Sequence, residues 1–387
     1  ASLSHARREA SSRGRNGKEK QAAAAAPVKE IEKWDCKLYL LGGVVAGSKA
    51  LGSMERLSPD IGDPRMNNAS GQVLGGTFAS LESMPAMPQP CWAAAAAGLG
   101  NRIYYCGGYD GHAFFDDTFC YDIAGESWET LPKMSTRRSQ AAAVAVAGKV
   151  FVCGGFNGYE ALSSVECFDP ETGAWAEMPP MSHGRVDPIV ATANGRVYVC
   201  GGADSGVVLK HVEALDLKKM VWQPIAPMLE ARRAASAAAI YGQLWVCGGH
   251  NGIKCLSSVE TYTFESKEWQ EHSPMLRPRY HGIAAVLGTC VVMDRGFALG
   301  SGRLYVCGGH DGSEELDSLE YWDPDRGERG EWIMHSEAKL GEPRFMAAGA
   351  LHAASLEKPP PPPPEEGAEA TGLAAEGRPA SSRERGR

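Results

Sequence analysis

The sequence predicts an all-β fold, a six-bladed β-propeller of four-stranded blades whose ring is closed by the C-terminal strand pairing into the first blade. Three observations predict it. The hexapeptides YCGGYD, VCGGFN, VCGGAD, VCGGHN and VCGGHD place the second glycine of each doublet at 108, 155, 202, 249 and 309, in steps of 47, 47, 47 and 60 residues. Eleven residues after that glycine stands Phe119, Glu166, Glu213, Glu260 or Glu320, and nine further on stands Trp128, Trp175, Trp222 or Trp269. A fixed period of this length marks supersecondary units stacked in an array. Each unit also divides into four strand-like pieces: QAAAVAVAG, KVFVCGG, SSVECFD and GAWAEMP in the unit ending at Trp175, separated by the turn signals AGK, FNGYEA and DPETG.

Taken along the chain, residues 1–33 carry eight Lys/Arg against four acids and are rich in Ser and Ala, which reads as a disordered basic tail. The same composition resembles a transit peptide, a reading that stays open. The propeller is expected over 34–356. Its first unit is worn: KLYLLGG at 37–43 matches the second strand, SMERL at 53–57 matches the third with Glu55 one position late, and Leu81 stands where tryptophan would be. The innermost strand of that unit is missing at this end, and PRFMAAGALHAA at 343–354 has the look of it. In a regular unit the first piece is small and apolar, as suits the crowded axis. The tryptophan piece suits the outer strand, where a ring wedged against the next blade buries about 150–250 Å². Two inserts interrupt the period, at about 58–78 and 288–302, and Trp332 falls twelve residues after Glu320 instead of nine. Six prolines at 359–364 open a second tail, 357–387, also read as disordered.

Composition narrows the function. The net charge of −8 is concentrated in residues 34–356, where 26 Lys/Arg face 37 acids, and an acidic body argues against a nucleic-acid binder. Eleven cysteines in 387 residues are too few and too odd in number for a disulfide scaffold, so a reducing compartment, the cytoplasm or the nucleus, is expected. The longest apolar run, GIAAVLGTCVVM, is twelve residues and cannot span a bilayer. Cys106, Cys153, Cys200, Cys247 and Cys307 each end a second strand in a different unit, too far apart for a disulfide or a shared zinc, so they read as small buried hydrophobes.

The doubled glycine, the V-E-x-[FY]-D-P turn of SSVECFDPETGAW and the following PPMSHGR resemble Kelch repeats, in particular those of the Kelch-like, or BTB-Kelch, substrate adaptors of cullin-type ubiquitin ligases. The resemblance covers about residues 35–354 and is weakest in the first unit. No P-loop, dinucleotide fingerprint, G-x-S-x-G or H-E-x-x-H is present, so no enzyme and no cofactor is expected.

Two loop sets meet at one end of such a ring. The loops after the glycines begin with Tyr109, Phe156, Ala203, His250 and His310, each followed by Asp or Asn (Asp110, Asn157, Asp204, Asn251, Asp311), of which Asn157, Asn251 and Asp311 are expected to contact the partner. The loops between blades present Arg137, Arg138, Arg185, Arg232, Arg233, Arg279 and Arg344. In the Kelch-like adaptors these loop sets grip the partner, so the resemblance implies partner-binding roles here, with arginine donors expected to meet an acidic or phosphorylated segment. Of the arginines, Arg138 and Arg233 are the expected recognition residues because the doublets vary between blades. The competing reading is that each arginine caps carbonyls of its own blade or pairs with a neighbouring acid. His250 and His310 lie in different blades without ligands at metal spacing, so no metal is expected. The expected function is a non-enzymatic protein-interaction module, plausible as the substrate-recognition part of a cullin-type ligase if a BTB region lies upstream. A stand-alone Kelch scaffold, a cytoskeletal binder and a propeller enzyme with a loop-built metal site are the alternatives.

Overall fold

RIYYC, KVFVC, RVYVC, QLWVC and RLYVC are apolar at every position after the first, and in each the last four residues are buried. A strand buried on both faces loses the period-two alternation, and these strands lie inside blades packed between two neighbours. The tryptophan strands SWETL, AWAEM, VWQPI and EWQEH keep exposed positions, as the solvent-side strands of each blade.

The computed structural model describes residues 34–45, 49–59, 78–287, 290–293, 296–299, 303–324, 326–327 and 330–355. Six antiparallel four-stranded sheets form the ring. From inside outward, the second blade comprises Ala95–Leu99, Arg102–Cys106, Thr118–Asp122 and Ser127–Leu131. The third, fourth and fifth blades repeat that plan from Ala142–Val146, Ile189–Ala193 and Ser236–Ile240. The sixth comprises Ile283–Leu287, Arg303–Cys307, Ser318–Asp323 and Glu331–Lys339. No helix occurs among the described residues.

The first blade takes its inner strand, Ala348–Ser355, from the far end of the chain and sets it against Trp34–Leu41 in eight antiparallel pairs, from Trp34↔Ser355 to Leu41↔Ala348. Met54–Pro59 and Phe78–Met84 complete it, and Leu57 pairs with Leu81 where Tyr121, Phe168 and Tyr262 pair with tryptophan. Within the second insert Cys290–Met293 and Gly296–Leu299 pair as a hairpin. Residues 60–77, most of the first insert, and both tails lie outside the described residues. The described strand ends Trp34, Pro59, Leu287 and Ser355 lie at one end of the ring; the glycine doublets and interblade loops occupy the other, the mouth.

The blades are held together by a repeated clasp. Arg138 lies in the loop leading into the third blade, where its backbone carbonyl accepts from Gly108 of the second blade (2.8 Å). Its guanidinium donates forward to Gly154 O (2.8 Å), Ser164 O (3.2 Å) and Glu166 Oε1 (2.6 Å). Glu166 in turn accepts from Ser135 N (2.7 Å) in that same interblade loop. Arg185 with Glu213, Arg232 with Glu260, Arg279 with Glu320 and Arg344 with Glu55 repeat the pattern. All five arginines are 0–1% exposed. The expectation that Arg138, Arg185, Arg232, Arg279 and Arg344 bind a partner is therefore corrected. Their charges are inside the wall, paired, and their donors point at carbonyls of the next blade; a partner cannot reach them.

The glycine doublet makes room for the clasp. At Gly201, with φ +56°, a Cβ would sit 2.1 Å from the Arg232 carbonyl oxygen, and only glycine takes both that dihedral and that approach. A second tie comes from the outer strands: the indole N–H of Trp175, Trp222, Trp269 and Trp332 donates at 2.7–2.8 Å to a carbonyl at the end of the preceding blade.

One of the six seams differs. Between the first and second blades Cys91 occupies the arginine position and Phe119 the glutamate position. Tyr105, where the other blades have valine or leucine, places its hydroxyl 3.1 Å from Cys91 Sγ. The three side chains fill with apolar volume the space that a guanidinium and a carboxylate fill elsewhere.

Candidate binding site at the propeller mouth

The mouth is organised by six residues of left-handed backbone: Ala93, Gln140, Asp187, Ala234, His281 and Met346, with φ between 51° and 55°. None is glycine, so each holds a conformation that costs a side chain free energy. Hydrogen bonds over-determine it. Ala93 N donates to Met346 O, Gln140 N to Ala93 O, Asp187 N to Gln140 O, Ala234 N to Asp187 O and His281 N to Ala234 O, at 2.6–3.0 Å. The result is a collar around a central channel lined by the small inner-strand residues, a cavity of about 190 Å³.

Polar groups on the collar interact with one another. Gln140 Nε2 donates to both oxygens of Asp187 (3.0 and 3.1 Å), which is 5% exposed. Arg233 and His281 approach the same carboxylate at 3.7 and 3.6 Å. Burial, assisted by Arg233, holds the His281 imidazole below its ordinary pKa against the opposing pull of Asp187.

Around the collar the mouth has two unlike halves. On one side Trp92, Tyr109, Phe114 and Phe156 stand in a row, with centroid separations of 5.3, 4.6 and 5.7 Å. With Ser139, Gln140 and Met346 they line a cavity of about 290 Å³. On the other side Tyr280 packs between His250, His310 and Phe345 at 5.1–5.6 Å.

His250 Nδ1 accepts from Gly252 N (3.0 Å) and His310 Nδ1 from Gly312 N (2.8 Å). An accepting ring nitrogen carries no proton, so the proton of each neutral ring is on Nε2. Both rings are thus donors held in one tautomer. Metal binding through Nε2 would break the turn bond, and among the described residues no three His, Cys, Asp or Glu side chains gather as a metal set. Burial and then Arg233 lower the pKa of His250.

Of the expected binding residues, the structure brings Tyr109, Phe156, His250 and His310 to the mouth. Arg233 stands there too, its side chain 38% exposed. Arg137 is exposed at the rim, its guanidinium 5.4 Å from the Tyr159 ring centroid. Asn157, Asn251 and Asp311 also lie in the mouth loops, and each turns its Oδ1 onto two backbone N–H groups of its own loop at 2.8–3.0 Å. Asp311 also pairs with Arg277. Trp92, Phe114, Gln140, Asp187, Tyr280, His281 and Phe345 were not singled out from sequence; no repeated motif marks their positions.

The strand-end cysteines are buried and unpaired. Burial pushes the thiols of Cys106, Cys153, Cys200, Cys247 and Cys307 up to about 12, which suppresses the reactive thiolate.

A solved structure titled "Structure of YjhT" matches with a TM-score of 0.58 and 14% identity, over 79% of this chain and 99% of that one. At that identity the likeness shows the fold alone. No curated protein matches significantly. The Kelch motif model matches residues 93–135, 137–182, 185–229, 231–276 and 294–332. These are the second to sixth blades in succession and together more than half of the chain, which belongs to the Kelch-repeat family.

Proposed function

We propose that the protein is a non-enzymatic interaction module that holds a short segment of another protein across the mouth of its propeller. Kelch propellers are typically protein-interaction modules. The observation that carries the reading for this chain is the division of labour along the repeat. The arginines and glutamates that recur blade after blade are committed to the clasps, whereas Trp92, Tyr109, Phe114, Phe156, Tyr280, His250 and His310, which do not recur in that way, collect around one opening. The fixed His250 and His310 donors suit backbone carbonyls of a bound segment. For an acidic or phosphorylated segment the support narrows to Arg137 and Arg233.

The test is recovery of partners by proximity labelling with the intact chain and with a Tyr109→Ala, His250→Ala, His310→Ala triple variant whose melting curve is unchanged. Loss of the same defined partners supports the reading. Identical recovery by both removes the mouth from consideration.

Substrate selection for a cullin-type ubiquitin ligase draws its support from the resemblance to the BTB-Kelch adaptors, and it requires a BTB region in the same polypeptide. The full-length transcript and co-precipitation of a cullin test it. Without such a region the same mouth serves a scaffold or a cytoskeletal binder in the cytoplasm.

A further inference from the structure

With the five clasped arginines set aside, the charge of the mouth reverses the expectation of an acidic ligand. The twelve loop segments of this end (42–53, 85–94, 107–117, 132–141, 154–164, 179–188, 201–211, 226–235, 248–258, 273–282, 308–317 and 340–347) then hold twelve carboxylates against seven lysines and arginines. Arg277 is itself neutralised by Asp311 and Glu314. The remaining field is negative, and association is steered by opposite potentials.

The four-ring cavity supplies the complementary anchor. Faces of tryptophan, tyrosine and phenylalanine rings carry negative quadrupole density that attracts a lysine or arginine head. The polar side chains lining that cavity are Ser139 and Gln140, and the amide nitrogen of Gln140 is committed to Asp187. Its remaining group, the side-chain carbonyl oxygen, is an acceptor, and the Ser139 hydroxyl can accept as well, so both can take a donor. Behind Gln140 lies the Asp187 carboxylate. Rings, acceptor and buried acid form a graded series of electron-rich groups, and none of them suits an anion.

We infer that the Trp92–Tyr109–Phe114–Phe156 cavity seats a lysine or arginine side chain of a basic partner segment. The inference rests on the interaction reading above and gives it a charge class.

The experiment is selection of random dodecamer peptides on the intact chain, followed by affinity measurement of the enriched peptides against Phe114→Ala and Gln140→Lys variants. The first removes a ring from a loop; the second places a competing ammonium in the cavity without emptying it. Enriched peptides are expected to carry an excess of Lys and Arg and to lose about tenfold affinity in either variant. Their binding is also expected to weaken as salt rises from 0.05 to 0.3 M, roughly the range over which the screening length shortens appreciably. Enrichment of Asp and Glu, or binding that is indifferent to Phe114→Ala, overturns the inference while leaving the mouth as a binding site. Peptides indifferent also to the Tyr109, His250, His310 triple variant, or a selection without enrichment, overturn both.

Discussion

Replacing Arg185 by cysteine removes a guanidinium that is fully buried and donates to Gly201 O (2.6 Å), His211 O (3.0 Å) and Glu213 Oε1 (2.9 Å). Two carbonyls lose a donor and Glu213, 4% exposed, loses its counter-charge while keeping only Ser182 N and Oγ. Breaking a buried pair from one side costs about 3–5 kcal/mol, because the orphaned charge remains desolvated. The seam between the first and second blades shows how the same space is filled without charge, and its equivalents at this seam are Cys at 185, Tyr at 199 and Phe at 213. The triple variant Arg185→Cys, Val199→Tyr, Glu213→Phe removes both ions together and refills their volume, so its expected loss is about 1–2 kcal/mol at most. Urea unfolding followed by tryptophan fluorescence reports both. A single variant that loses less than about 1 kcal/mol, or a triple variant no more stable than the single, would refute the account of the clasp as a charge pair whose members depend on each other.

Three further outcomes are expected. Cys255 is partly exposed whereas the strand-end cysteines are buried, so an alkylating reagent on the native protein should mark the Cys255 peptide ahead of the strand-end thiols, which react only on unfolding; early labelling of Cys153 or Cys200, read by mass spectrometry, would contradict their placement. His281 is held below the ordinary imidazole value chiefly by burial, with Asp187 opposing; the folded state then binds the proton less readily than the unfolded chain, so this group's contribution to stability is complete above about pH 6.5 and declines as pH falls. An NMR titration should place its midpoint lower still in Asp187→Asn and higher in Arg233→Ala, and the reverse order would invalidate the collar electrostatics. Gly201→Ala forces a Cβ to 2.1 Å from the Arg232 carbonyl oxygen, and a loss of about 2 kcal/mol or more in urea unfolding is expected, against no change if the seam were loose.

How far the chain could be read before its structure depended on what repetition reveals. The doublets, the glutamates and the tryptophans recur at one spacing, so strand order and blade count were legible, and the pairing of Leu57 with Leu81 lies where the tryptophan register put it. The arginines were legible too but were assigned to the wrong role. Arg138, Arg185, Arg232 and Arg279 keep the 47-residue step, and the first three each precede a glutamate by 28; constant spacing to a buried partner marks architecture, and the off-register members, Arg137 and Arg233, are the ones that reach the surface. Doubling hid this, since variation between blades was credited to Arg138 instead of to its neighbour. The collar left no trace in the sequence. Left-handed backbone at Gln140, Asp187 and His281 carries no residue signature when closing hydrogen bonds impose it, and Trp92 and Phe114 meet only because two loops from different stretches of chain are brought together.

The register from Trp34↔Ser355 to Leu41↔Ala348 has a consequence for synthesis. Local hairpins of the second to sixth blades can form as they leave the ribosome, but the first blade waits with one strand edge open until almost every other described residue has been made. Contacts of such sequence separation are slow to form, and a waiting strand edge is open to pairing with a neighbouring nascent chain. A chain halted before residue 348 would keep five complete sheets and still lack Arg344's engaged blade in finished form. The ring therefore acts as its own check: emergence of Ala348–Ser355, rather than the strength of any single blade, decides when the mouth acquires its shape.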